Sequence, residues 1–139
     1  MPITIDDVCL NKAAIIERSI RRALEEFHRN PELDDFTHID AMTLNVERFC
    51  QGAIDLAMHI VAREHLGMPQ SSSDAFKLLL KAGIISEKTA RAMIGMVGFR
   101  NVAIHEYQDL ATDVLRAIGN EKWREIVSFC AELGLSIRP

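Results

Sequence analysis

The chain has 139 residues, 48% of them hydrophobic and 26% charged, which is the balance of a globular protein with length for one core, and the expected organisation is a single domain over residues 1–139. Sixteen basic against twenty acidic residues leave a formal charge of −4, excluding a generally basic surface for nucleic acid, so any such contact has to be local. No apolar run reaches the roughly 20 residues of a membrane span, and MPITIDDV lacks the basic and apolar regions of a signal peptide; a cytoplasmic location without membrane contact is expected.

Apolar residues recur at helical spacing along almost the whole chain, without sustained two-residue alternation, so the expected class is all-α. The first helix begins at Asp6 or Asp7, either able to cap free amides, and buries Ala13, Ile16, Ile20, Leu24 and Phe27 before Asn30-Pro31 ends it. Its other face pairs Glu17 with Arg21, Arg21 with Glu25 and Arg22 with Glu26 at four-residue spacing, a solvated charge run. Thr37-His38-Ile39-Asp40 has the form of a capping box, opening the longest helix, which runs to about His65 before Gly67 and Pro69. Ser71-Ser72-Ser73-Asp74 caps a short helix, Ala75 to Ala82, stopped by Gly83, and Ser86 opens the next. After Tyr107 the chain is expected to turn near Asp109, form a short helix from Thr112, pause at Gly119-Asn120 and finish in a helix from Glu121 to Leu133. The architecture is an antiparallel bundle of four main helices plus short ones.

Two helices are apolar on more sides than a bundle consumes. In the second, Leu44, Val46, Phe49, Ala53, Ile54, Leu56, Ala57, Met58, Ile60 and Val61 cover more than one stripe; in the helix after Ser86, so do Ala92, Met93, Ile94, Met96, Val97, Phe99, Val102, Ala103 and Ile104. The surplus face is expected to meet a second subunit, and a homodimer is the simplest closed assembly. Gly95 and Gly98 allow either close backbone approach or plain helix packing.

No metal or cofactor is expected. Cys9, Cys50 and Cys130 have no paired spacing and read as reduced, buried thiols. His59 and His65 are six apart, not the spacing that aligns two ligands on one helical face, and His59 reads as a hydrogen-bonded core residue. Asp6-Asp7 and Asp34-Asp35 read as caps or loop charge, Trp123 as core. Lys12, Arg18, Arg21 and Arg22 either form a basic rim or, with their glutamates, a neutralised face.

The stretch GFRNVAIHEY, residues 98–107, is harder to explain as packing. Arg100, Asn101, His105 and Tyr107 interrupt an apolar helix, and burying such groups without partners costs several kcal/mol. Carboxylate or carbonyl partners within a purely structural dimer are one solution. Arg100 and His105 are five residues apart, about 140° round the helix, so one chain does not easily aim both at one point. Two chains meeting along this helix would bring both types into one cleft. There, Arg100 offers a donor fork matched to phosphate, His105 a general acid or base, and Asn101 support for a hydroxyl or phosphate oxygen. That set suits cleavage of RNA by its own 2′-hydroxyl, giving a 2′,3′-cyclic phosphate, and not DNA, which lacks that hydroxyl.

Arg100-Asn101-Val102-Ala103-Ile104-His105 fits the arginine, polar residue, three-residue gap, histidine motif of HEPN-domain ribonucleases, and Tyr107 extends it. Together with LNVERFCQGAIDLAMHI and LGMPQSSSDAFKLL, MVGFRNVAIHEYQDL closely resembles the HepT toxins of MntA–HepT toxin–antitoxin systems, over about Asn11 to Ile118. The resemblance implies an all-helical HEPN dimer, a metal-independent endoribonuclease toxin of a type VII-like system. It also implies a partner resembling the MntA nucleotidyltransferase, which moves AMP from ATP onto Tyr107. Anionic phosphates two residues after His105 would block the cleft or occupy Arg100. A non-catalytic helical dimer that binds a nucleotidyltransferase or a nucleotide shares every feature up to the chemistry. The resemblance is weaker in the first helix and after Ile118, so substrate choice does not carry over.

Overall fold

In the computed structural model residues 3–105 and 110–139 are described, without the side chains of 102–105, 110 and 111. They form six helices: α1 Asp7–Arg29, α2 Phe36–Arg63, α3 Ser72–Lys81, α4 Glu87–His105, α5 Leu110–Ala117 and α6 Trp123–Glu132, with a π-helical turn, Ile118–Lys122, joining the last two. No strand occurs among the described residues.

α1 and α2 form the long antiparallel hairpin of the fold. His38 meets Glu26 near the turn, Lys12 reaches Asp55 further along, and Arg63 holds Asp6 at the far end. Gly52 sits so close to α1 that a Cβ there would lie 2.9 Å from Ile16 Cγ1. Asp6 caps α1 by accepting from the Cys9 amide at 2.9 Å, and Asn30 closes it. Of the expected buried face only Leu24 is half-buried instead; Cys9, Ser19 and Ala23 are buried beside the rest. The charge run is sparser than its spacing suggests. Arg21 meets Glu17 at 3.6 Å, but Glu26 turns to Arg29 and His38, leaving the Arg21–Glu25 and Arg22–Glu26 pairs unformed among the described residues. The reason is packing: α2 docks along α1 and brings His38 within reach of Glu26, which Arg22 then lacks.

α2 starts two residues before the expected box. Asp35, not Thr37, is its cap, accepting from the Thr37 amide at 2.9 Å, because Asn30 Oδ1 holds the Asp34 and Asp35 amides and presents Asp35 first. α3 is capped by Ser71 through the Asp74 amide, and Gly83 ends it with φ +74°. α4 is opened by Ser86, whose hydroxyl accepts from the Thr89 amide at 3.2 Å, while Glu132 at the end of α6 accepts from the Ser86 amide and the Thr89 hydroxyl. α4 and α6 are thereby antiparallel. The tail returns along α1, with Leu135 and Ile137 buried and the Arg138 amide donating to Glu17 at 2.7 Å.

The expected pause at Gly119-Asn120 does not occur; the chain stays helical and widens into the π turn. Gly119 serves contact and not interruption, since a Cβ there would stand 2.5 Å from the Phe27 ring. Gly119→Ala is expected to destabilise the fold by about 1–3 kcal/mol, the usual cost of overpacking, as a lower urea midpoint. A wild-type midpoint would show that Phe27 moves aside freely.

The surplus apolar face of α2 is largely used within one chain. Val46, Phe49, Ala53, Ile54, Leu56, Ala57, Ile60 and Val61 are buried, because α1 covers one side and α3, α4 and α5 others; only Leu44 stands exposed and Met58 half-buried. α4 behaves differently. Met93, Met96, Val97 and Phe99 are buried, yet Arg91, Gly95, Gly98 and Asn101 form an exposed strip at spacings of three and four, and a Cβ built on either glycine meets nothing within 4 Å.

Candidate active site

Three of the four sequence-predicted positions lie on the end of α4. Arg100 and Asn101 lie on its last turns, and His105 is its final residue, with a side chain beyond those described. Tyr107 lies outside the described residues. Arg100 is half-buried at the margin of the open strip and Asn101 is exposed on it. Arg100 makes one long contact, to Asn101 Oδ1 at 3.5 Å, and meets no carboxylate among the described residues. The carboxylate partner that a purely structural role requires is thus absent from that set. Within that set the guanidinium has donors to spare for an anion.

Sequence reasoning missed a cross-helix neighbour of Arg100. Cys50 of α2 is buried, which pushes its thiol up to about 12; Arg100 pulls it down by its positive charge and Glu47 pushes it up by its negative one. Spacing along one chain carries no sign of this cross-helix neighbourhood. The other two thiols are buried and free as well, and Cys130 is likewise pushed up to about 12 by burial, so all three are protonated packing residues.

At the opposite end of the hairpin, Asp6, Cys9 and His59 bring one potential ligand atom each within 4.8 Å of one another. The Arg63 guanidinium already occupies that space, 2.9 Å from Asp6 Oδ2 and 3.8 Å from Cys9 Sγ, and His59 Nε2 lies 2.7 Å from the same carboxylate oxygen. A dication there would face a fixed cation, so the cluster reads as a tether between α1 and α2, and His59 has the hydrogen bond expected of it. The Cys9 amide, then His59 and Arg63, hold the Asp6 carboxyl well below the usual carboxylate range. A lowered folded value means the tether stabilises fully above the ordinary carboxylate pKa and is lost as pH falls toward the folded one. Asp6→Asn is therefore expected to lower the melting temperature at neutral pH and narrow the gap to wild type in acid; a gap that widens in acid contradicts this.

Comparison with known proteins decides the family. The model of the family described as Ribonuclease HepT-like matches residues 11–133. The chain belongs to the HepT-like ribonuclease family.

The chain is 38% identical over 112 residues to the mRNA nuclease HepT of Shewanella oneidensis, covering 80% of this chain and 84% of that one. It is 32% identical over 85 residues to the tRNA nuclease HepT of Aphanizomenon flos-aquae, 58% of each. A solved structure of the tri-AMPylated Shewanella oneidensis HEPN toxin in complex with MNT antitoxin superimposes with a TM-score of 0.88 at 34% identity, over 94% of this chain and 98% of that one. The all-α HEPN fold is thereby established, and the activity of a HepT-like family member is RNA cleavage. No helix among the described residues is long and apolar enough to cross a membrane.

Proposed function

We propose that this HepT-like chain, one domain over residues 1–139, is the cytoplasmic toxin of a toxin–antitoxin pair. It acts as a metal-independent endoribonuclease whose site combines Arg100 and His105 of two protomers, with Asn101 in support, and it is silenced by AMP transfer to Tyr107 from an MntA-like nucleotidyltransferase. The carrying observation is the half-buried Arg100, without a carboxylate among the described residues, beside an open glycine strip on a helix that buries Met93, Met96, Val97 and Phe99 on its other side. The helical period continues that strip from Gly98 and Asn101 through position 105.

In the dimer, the 2′-hydroxyl of the substrate attacks the adjacent phosphorus as His105 takes its proton. The 5′-oxygen leaves with a proton from the second imidazole, while Arg100 stabilises the charge gathering on the phosphoryl oxygens. Incubating the purified protein with total RNA in EDTA tests this reading. Fragments ending in 2′,3′-cyclic phosphate are expected; intact RNA, with no growth arrest on expression, would leave a non-catalytic partner-binding dimer. Sequencing the cut ends decides between messenger and transfer RNA, the two classes named for the relatives.

The glycine strip carries its own prediction. Gly98→Ala is expected to stabilise an isolated subunit by about 1 kcal/mol, since the site is open and alanine is the better helix former. Gly98→Leu, which projects a bulky side chain from the same exposed position, is expected to shift the protein to monomer by light scattering and to abolish cleavage. A dimeric, active Gly98→Leu variant would move the subunit interface elsewhere.

A further inference from the structure

A groove at the other end of α5 is not used by the Arg100–His105 chemistry. It has a volume of about 630 Å³ and is lined by His28 of α1, Arg116 of α5, and Asn120, Trp123 and Arg124 around the π turn. Trp123, the sole tryptophan, is half-buried, and the Arg124 guanidinium lies over its ring, 5.1 Å from the centroid. Core packing alone does not account for an indole left half open beneath a cation. Arg116 is held at the rim by Asp113 at 3.1 Å and the Glu32 carbonyl at 3.5 Å, which leaves donors of its fork free. His28 is exposed. In a chain of net charge −4, this groove gathers two arginines and an imidazole around one lining carboxylate, Glu32. Its floor is formed where Gly119 of the π turn touches Phe27, and π turns recur at functional sites.

We propose that this groove is a binding subsite for the single-stranded RNA substrate, stacking one base on the Trp123–Arg124 platform and holding the adjoining phosphate with Arg116 and His28. Proteins that bind single strands combine these elements: a flat aromatic or guanidinium surface for the base and cations for the backbone. α5, which packs against α4, carries the groove at its C-terminal end: at about 1.5 Å per residue, Arg116 lies roughly 9 Å along that helix from Leu110, a span of a few nucleotides. The inference rests on the ribonuclease reading for the identity of its ligand.

Titrating mixed-sequence single-stranded RNA into His105→Ala protein tests it, read by Trp123 fluorescence and by anisotropy of labelled RNA. Quenching of the indole is expected. Arg116→Ala with Arg124→Ala should weaken binding roughly tenfold and flatten its salt dependence. Trp123→Phe, which keeps the packing bulk, should weaken it less. Unquenched fluorescence with unchanged affinity in the double variant overturns the proposal. So does AMP binding as tightly as RNA, the mark of a mononucleotide pocket, or a double variant that loses the nucleotidyltransferase partner while keeping its RNA affinity. If wild-type protein fails to cut RNA but still shows the quench and the loss, the subsite stands and the ribonuclease reading falls. If RNA is cut and the double variant binds and cuts it as wild type does, the subsite alone falls.

Discussion

His105→Ala is expected to lower RNA cleavage in EDTA by about 10²–10⁴-fold, the contribution of one positioned general acid or base. Arg100→Ala is expected to cost about 10²–10³-fold, comparable to removing a donor from the charge developing in a transition state. Arg100→Lys should recover only part of that, because an ammonium keeps the charge but not the fork that spans two phosphate oxygens. Fold and assembly should survive all three substitutions: Arg100 makes one long contact among the described residues, and its packing stem remains in the lysine variant. Rates are read by gel from purified protein, and circular dichroism and light scattering confirm an intact dimer. Equal cleavage by wild type and variants would end the assignment of these residues, and cleavage that needs magnesium would end the proposed mechanism while leaving the family's activity in place.

Tyr107→Phe is expected to leave cleavage near the wild-type rate but to free it from control. Co-expressed with its nucleotidyltransferase, the wild-type chain should gain the mass of one or more AMP units and permit growth. The phenylalanine variant should gain none and stop growth whether or not the partner is present. The physical basis is local: an added nucleotide brings negative charge and bulk two residues beyond His105, competing with an RNA phosphate for Arg100. Growth rescued equally in both backgrounds would show that the partner acts by binding alone, and a modified mass in the phenylalanine variant would move the acceptor elsewhere.

Helix identity and most caps follow from local chemistry. Asp6, Ser71 and Ser86 each accept an amide from the first turn they precede, and Asn30 and Gly83 end helices, as backbone preferences alone dictate. The motif at 100–107 was legible for a similar reason. Polar residues on an apolar helix stand out against a period of 3.6, and their order matched a family whose model covers residues 11–133.

Packing decided the rest, because a hydrophobic period says that a face is buried and not by what. The second apolar face of α2 looked like a subunit interface and proved to be covered by its own chain, while the glycines of α4 were left open. Gly119 looked like a helix stop and proved to be a point of contact with Phe27, ninety-odd positions away in sequence. Asp35 displaced Thr37 as a cap through Asn30, and Arg116, Asn120, Trp123 and Arg124 came together with His28 only because the π turn lies across the end of α1. Local preferences act over one helical turn, which is enough to determine the helices and the motif of this ribonuclease. Which faces stay open and which distant side chains share a groove depends on long-range contacts, and those exist only once the helices have docked.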